Sequence, residues 1–140
     1  MYPDVKILVV DDEASVLSMM KQVLELQGYE VRTVSSPLIA LEMLRKEKYH
    51  IVVTDISMPE MDGLDLLQAI RAFDPLIQVV IMTGQSTMQK AIKALEHGAT
   101  EYLLKPFSDV DKLLQAIKLC EEKLHRWWDR LRETSEQKRK

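Results

Sequence analysis

Ile51-Val52-Val53-Thr54-Asp55-Ile56-Ser57-Met58-Pro59-Glu60-Met61-Asp62-Gly63 is an apolar run that ends on one carboxylate and then breaks into a turn. Its first three residues are β-branched and uninterrupted by charge, the pattern of a strand covered on both faces in a parallel sheet. Asp55 falls where that strand emerges, and Pro59 and Gly63 turn the chain before Leu64 opens a helix. In open α/β sheets ligands bind at the carboxyl ends of the strands. Alone, an aspartate there reads equally as the start of a turn. Asp11 and Asp12 end a second apolar strand in the same way, which raises the reading.

Working outward, Val5 to Val10 is a short buried strand running into Asp11-Asp12-Glu13. Helical spacing follows in Val16, Met20, Val23 and Leu24, with Gly28 as the stop. Glu30 to Val34 alternates as a more exposed strand does, and Ser36-Pro37 supplies an N-cap and first-turn proline for a helix carrying Ala40, Leu41 and Leu44. After the central strand, a helix on Leu64, Leu67 and Ile70 stops before Asp74-Pro75. Gln78 to Met82 is a fourth strand delivering Thr83-Gly84. A helix from about Ser86 to His97 closes at Gly98. Glu101 to Leu104 is a fifth strand ending at Lys105-Pro106-Phe107, and Ser108 with Asp111 starts the last helix in capping-box fashion. Five strands alternating with five helices predict an α/β fold: a doubly wound parallel sheet with helices on both faces.

Bulk properties agree with one domain. The chain has 140 residues, 29% of them charged and 46% hydrophobic, with a net charge of −3. Residues 1–120 carry 12 Lys/Arg against 17 Asp/Glu, whereas residues 121–140 carry 7 against 5. An acidic body argues against direct nucleic-acid binding. The single Cys120 excludes an internal disulfide, and no apolar stretch reaches the roughly 18 residues that span a bilayer. A cytoplasmic location is expected. The eight methionines read as gap-filling, and His50, His97 and His125 lack metal-ligand spacing.

If the sheet is doubly wound, its strand ends bring Asp11, Asp12, Asp55, Thr83 and Lys105 to one crevice. Carboxylates packed together resist ionising unless a cation sits among them. An oxygen-only donor set favours Mg²⁺. A carboxylate beside a metal is a competent phosphoryl acceptor, and a hydroxyl and an ammonium are the donors that bind phosphoryl oxygens. Taken singly, each residue has an ordinary reading: Asp11-Asp12 as a helix cap, Thr83 as a strand-end hydroxyl, Lys105 as a surface charge.

From about Asp4 to Cys120 the chain resembles the receiver domain of two-component response regulators, a CheY-like or flavodoxin-like fold with strand order 2-1-3-4-5. The resemblance rests on Asp11-Asp12, on Asp55 followed by Met58-Pro59-Glu60-Met61-Asp62-Gly63, on Thr83-Gly84, on Gly98-Ala99 and on Lys105-Pro106-Phe107, in that order. It implies that Asp55 accepts phosphate from the phosphohistidine of a sensor histidine kinase or a phosphotransfer protein. It implies Mg²⁺ held by Asp11, Asp12, Asp55 and the backbone carbonyl of Ser57, with Thr83 and Lys105 on the phosphoryl oxygens and a cis Lys105–Pro106 bond. Tyr102 matches the family's aromatic switch, which turns inward as Thr83 moves, re-shaping the surface of the fourth helix, fifth strand and fifth helix. Ser57 and Gln85 stand where the family varies and influences phosphate lifetime.

The final helix does not stop where such a domain should. Val110, Leu113, Ile117, Cys120, Leu124, Trp127 and Leu131 recur at steps of three and four. A receiver over residues 4–120 and a helical extension over 121–140 are therefore expected, the extension forming a coiled coil. Leu124, Trp127, Trp128 and Leu131 would be exposed, and two chains would pair as a homodimer along Ile117, Cys120, Leu124, Trp127 and Leu131. Two other readings compete. A Mg²⁺-dependent phosphohydrolase with Asp55 as nucleophile would want a general acid at position 57 and a substrate cap, and the chain offers neither. A scaffold that is never phosphorylated would have no need of the acidic site.

Overall fold

The computed structural model describes residues 2–84, 88–105 and 110–139. The expected roles of Gln85 and Ser86, the cis Lys105–Pro106 bond, Phe107 and the Ser108 cap lie outside the described residues.

Five strands and five helices alternate: β1 (Lys6–Val10), α1 (Ala14–Leu26), β2 (Glu30–Val34), α2 (Pro37–Lys46), β3 (Ile51–Asp55), α3 (Gly63–Phe73), β4 (Gln78–Thr83), α4 (Met88–Glu96), β5 (Glu101–Leu104) and α5 (Val110–Arg139). The strands form one sheet in the order β2-β1-β3-β4-β5, and every pairing is parallel. β3 and β4 are buried at every residue, which is why their sequences run apolar instead of alternating.

Two apolar clusters flank the sheet. Ile7, Val9, Val53 and Val80 point to the face covered by α1 and α5, against Met20, Leu24, Leu113 and Ile117. Leu8, Val10, Val52 and Val79 point to the other face, against Ala40, Leu44, Leu66 and Ile70 from α2 and α3. The period-2 alternation of each strand thus divides one apolar run between two layers.

Local chemistry sets the element ends. The Ser36 hydroxyl accepts from the Ile39 N–H ahead of Pro37, and the Asp62 carboxylate accepts from the Asp65 N–H to start α3. Gly28 and Gly98 hold φ of 92° and 94° where α1 and α4 end.

α5 runs past the domain as the sequence leads one to expect, but much of its apolar stripe is used differently. It is one unbroken helix of 30 residues, about 45 Å at 1.5 Å per residue. Ile117, Cys120 and Leu124, expected on a seam between two chains, are buried at 0%, 0% and 2% exposure in the chain's own core. Trp128 packs on the same cluster, so core packing continues past Cys120. Only Trp127 and Leu131 of that seam stand about half exposed. The 3.5-residue repeat is real, and most of it faces the sheet. Among the described residues no helix is long and apolar enough to cross a membrane.

Candidate functional site

The parallel sheet places the carboxyl ends of its three inner strands side by side. Asp55 is the last residue of β3 and pairs with Met82, one position before Thr83 ends β4. Asp11 follows β1, and its N–H donates to the Val34 carbonyl of β2, fixing the chain at that edge. Lys105 follows β5, and its N–H donates to the Thr83 carbonyl at 2.7 Å.

The loop after β3 is pressed against the strand end. The Gly63 N–H donates to the Ile56 carbonyl at 2.8 Å. A Cβ at Gly63 would lie 2.5 Å from the Asp55 carbonyl oxygen and 2.6 Å from the Ile56 Cα. Glycine is required there because backbone meets backbone. The Asp55 carboxylate is aimed by the Ser57 N–H, which donates to Oδ1 at 3.1 Å, leaving Oδ2 free to turn toward Lys105.

One ammonium holds three carboxylates. Lys105 Nζ lies 2.5 Å from Asp11 Oδ2, 3.0 Å from Asp55 Oδ2 and 3.4 Å from Glu13 Oε1. Asp11, Asp12, Glu13 and Asp55 each offer an oxygen within 4.8 Å of the others. Asp11 is fully buried and Asp55 nearly so, whereas Asp12 and Glu13 are exposed. Burial raises the Asp11 carboxyl above its usual range, against the opposing pull of Lys105 and the Glu13 N–H. Burial also pulls the Lys105 ammonium down, but its bonds to Asp11 and Asp55 outweigh that and hold it above its usual value. One cation therefore neutralises the notch only in part. An all-oxygen cluster of excess negative charge, open on the Asp12 and Glu13 side, fits a small hard divalent cation.

The sheet thus gathers Asp11, Asp12, Asp55, Thr83 and Lys105 at one end, with the exposed Ser57 on the rim. Thr83 is buried at 2% exposure. Tyr102 is half-buried on β5 and packs against the cluster on the α2 and α3 face. Glu13 also belongs to the cluster. Its place as the third consecutive acid after β1 was visible, but nothing in the spacing showed its carboxylate reaching Lys105.

Residues 7–118 match the response regulator receiver domain family. Among curated relatives, the chain is 44% identical over 109 residues to the transcriptional regulatory protein ZraR of Klebsiella oxytoca, covering 78% of this chain and 24% of that protein. It is 37% identical over 117 residues to the C4-dicarboxylate transport transcriptional regulatory protein DctD of Rhizobium meliloti, covering 84% and 25%. The chain thus spans about a quarter of the length of the curated relatives it matches. Among solved structures, a CheY-like receiver domain protein from Methanospirillum hungatei superposes with a TM-score of 0.80 at 29% identity, covering 86% of this chain and 97% of that one. The beryllofluoride-activated NtrC4 receiver domain dimer gives 0.78 at 34% identity, covering 84% and 98%. With the family matched over four-fifths of its length and the acidic crevice at the end of a 2-1-3-4-5 sheet, the chain belongs to the receiver domains of two-component response regulators.

Proposed function

We propose that Asp55 is the phosphoacceptor and that its phosphorylation is the signal the domain carries. The observation that carries this is the arrangement of Asp55: it ends the central strand, its carboxylate faces the Lys105 ammonium at 3.0 Å, and three further carboxylates stand beside it. A carboxylate oxygen of Asp55 attacks phosphorus, a P–O bond forms, and the P–N bond to the donor's imidazole breaks, leaving the imidazole with the electron pair. The fit of the donor set supports Mg²⁺ on Asp11, Asp12, Asp55 and the Ser57 carbonyl, where it would offset the charge of the incoming phosphoryl group. Lys105 and Thr83 bind the phosphoryl oxygens, and the site catalyses only its own phosphorylation and dephosphorylation. The donor is a sensor histidine kinase or a phosphotransfer protein in the cytoplasm.

The output is a change of surface. Thr83 drawn toward the phosphoryl group leaves space into which Tyr102 turns, altering the surface of α4, β5 and α5. What supports this is their adjacency on neighbouring strands, where Ile81 pairs with Tyr102 and Thr83 with Leu104. The receiver unit comprises residues 4–120 and the extension residues 121–140, with core packing carried on to Leu124. The half-exposed Trp127 and Leu131, one helical turn apart, support pairing of two chains through the extension. The solved NtrC4 receiver is likewise described as a dimer in its beryllofluoride-activated form.

Intact mass after incubation with acetyl phosphate and Mg²⁺ tests the reading. A gain of about 80 Da on the unsubstituted chain, absent from Asp55→Ala, is expected, this being the mass of one phosphoryl group. Continuous release of phosphate with turnover would instead support a hydrolase, and no reaction a scaffold. Sedimentation with and without beryllofluoride tests the pairing, and a single chain under both conditions removes it.

A further inference from the structure

At the opposite end of the sheet from Asp55 lies a cleft of about 490 Å³. Its floor is made by Pro75, Gln78, Gly98 and Thr100, and one wall by residues 123–130 in the middle of α5. That wall carries Lys123, Arg126, Trp127 and Arg130, and Arg71 closes the other side. The lining holds four cationic side chains and no carboxylate, in a chain whose net charge is −3.

The cations divide by what they already hold. Arg71 is committed: Nε and Nη2 donate to the Gly98 carbonyl at 3.1 and 2.6 Å, and Nη1 donates to the carbonyls of Pro75 and Ile77. The floor side chains are satisfied too. The Thr100 hydroxyl donates to Gln78 Oε1, and Gln78 Nε2 donates to the Leu76 carbonyl. The nearby Asp74 carboxylate is taken by Lys48 at 2.9 Å and by the Leu76 N–H. Lys123, Arg126 and Arg130 are different. Among the described residues none of the three lies within 4.0 Å of a carboxylate, and all three are exposed. Positions 123, 126, 127 and 130 share one helical face, which sets the three charges around a half-exposed indole.

The geometry points to a binding site for a nucleoside di- or triphosphate. Three unpaired cations match the charge of a short phosphate chain, and bound phosphate restores the pairing that the protein itself does not supply. The indole of Trp127 offers a flat apolar face on which a base stacks. The volume falls in the range of about 300–1,000 Å³ typical of small-molecule sites. Lying on α5 away from the acidic notch, such a site would let a soluble nucleotide act on the extension independently of Asp55.

The test uses the full chain at low salt, at a concentration where sedimentation gives a single chain, with EDTA present so that the acidic notch carries no divalent ion. ADP, ATP, inorganic pyrophosphate, adenosine and a polyglutamate peptide are titrated, read by tryptophan emission and by calorimetry. Saturable binding of ADP and ATP with a change in emission is expected, with pyrophosphate and adenosine each at least about tenfold weaker. Arg126→Glu and Arg130→Glu should each weaken ADP at least about tenfold, the scale of one lost charged contact. Trp127→Leu should abolish the emission change, and Asp55→Asn should leave binding as it was. Absence of saturable ADP binding overturns the proposal. So does binding indifferent to Arg126→Glu and Arg130→Glu, or pyrophosphate or polyglutamate bound as tightly as ADP.

Discussion

Asp55 is presented by a glycine as much as by its own strand. Because a Cβ at Gly63 would sit 2.5 Å from the Asp55 carbonyl oxygen, no rotamer change relieves the clash and the loop must retreat from the strand end. Gly63→Ala is therefore expected to lower unfolding stability by about 1–3 kcal/mol, the usual range for overpacking. The same retreat misplaces the phosphoacceptor, so labelling by acetyl phosphate should slow by about ten- to a hundredfold. Denaturant melts and timed intact-mass measurements give the two numbers, and an unchanged labelling rate would detach Gly63 from the site.

His50 shows the same dependence at the other end of β3. Its Nδ1 accepts the Lys6 N–H at 3.0 Å, and its ring meets Trp128 edge-on at 5.6 Å. Burial, with Lys48 nearby, holds its pKa below the ordinary value. The folded protein thus prefers the neutral ring. At pH above about 6.5 both states are neutral and this contribution is intact. As pH falls below that value the unfolded chain takes up a proton the folded one resists, so stability declines until the folded pKa is passed. His50→Gln, which cannot titrate, should flatten the slope of unfolding free energy between about pH 7.5 and 5.5. An identical slope in both proteins would remove His50 as its source.

At the scale of elements, α5 separates what periodicity can say from what it cannot. The stripe Leu113, Ile117, Cys120, Leu124, Trp127, Leu131 was legible because side chains three and four apart share a face. Its partner was not, since the same spacing suits a chain's own sheet or a second helix. The sheet took Leu113 to Leu124, and burial there pushes the Cys120 thiol up to about 12, which makes it a core side chain and not a reactive one. Leu124→Ala should cost about 2–5 kcal/mol as a buried truncation. Leu131→Ala should change single-chain stability by no more than about 0.5 kcal/mol. If two chains pair through the extension, the second substitution shifts the sedimentation equilibrium instead. Equal costs for the two would contradict a core that ends between them. By contrast β3 was readable outright, because a continuous β-branched run has few uses other than a strand buried on both faces. The gathering of Asp11, Asp55, Thr83 and Lys105 followed from strand order, whereas the contact of Lys105 with Glu13 depends on rotamers that no sequence spacing specifies.

Over the whole molecule, the chain closes on itself by a contact that sequence reading had no means to find. Tyr2 and α5 are 127 positions apart, yet the Tyr2 hydroxyl donates to both oxygens of the Asp129 carboxylate at 2.9 and 3.0 Å. Its ring stacks on His125 at 3.8 Å, nearly parallel, and the Arg132 guanidinium lies 5.7 Å from the ring centre. Local patterns describe neighbours along an element, and a lone tyrosine before the first strand carries no such pattern. The contact matters because Leu124 is the last fully buried residue of α5, and beyond it the core holds the helix through the partly buried Trp128. Tyr2→Ala should accordingly raise amide exchange over residues 125–132 by about tenfold while β1, β3 and β4 keep their protection, the behaviour of a local opening rather than global unfolding. Tyr2→Phe keeps the stacking and loses the bonds to Asp129, so it should fall between. Exchange in that segment indifferent to both substitutions would mean that α5 holds its own direction, and that the first residues merely rest on it.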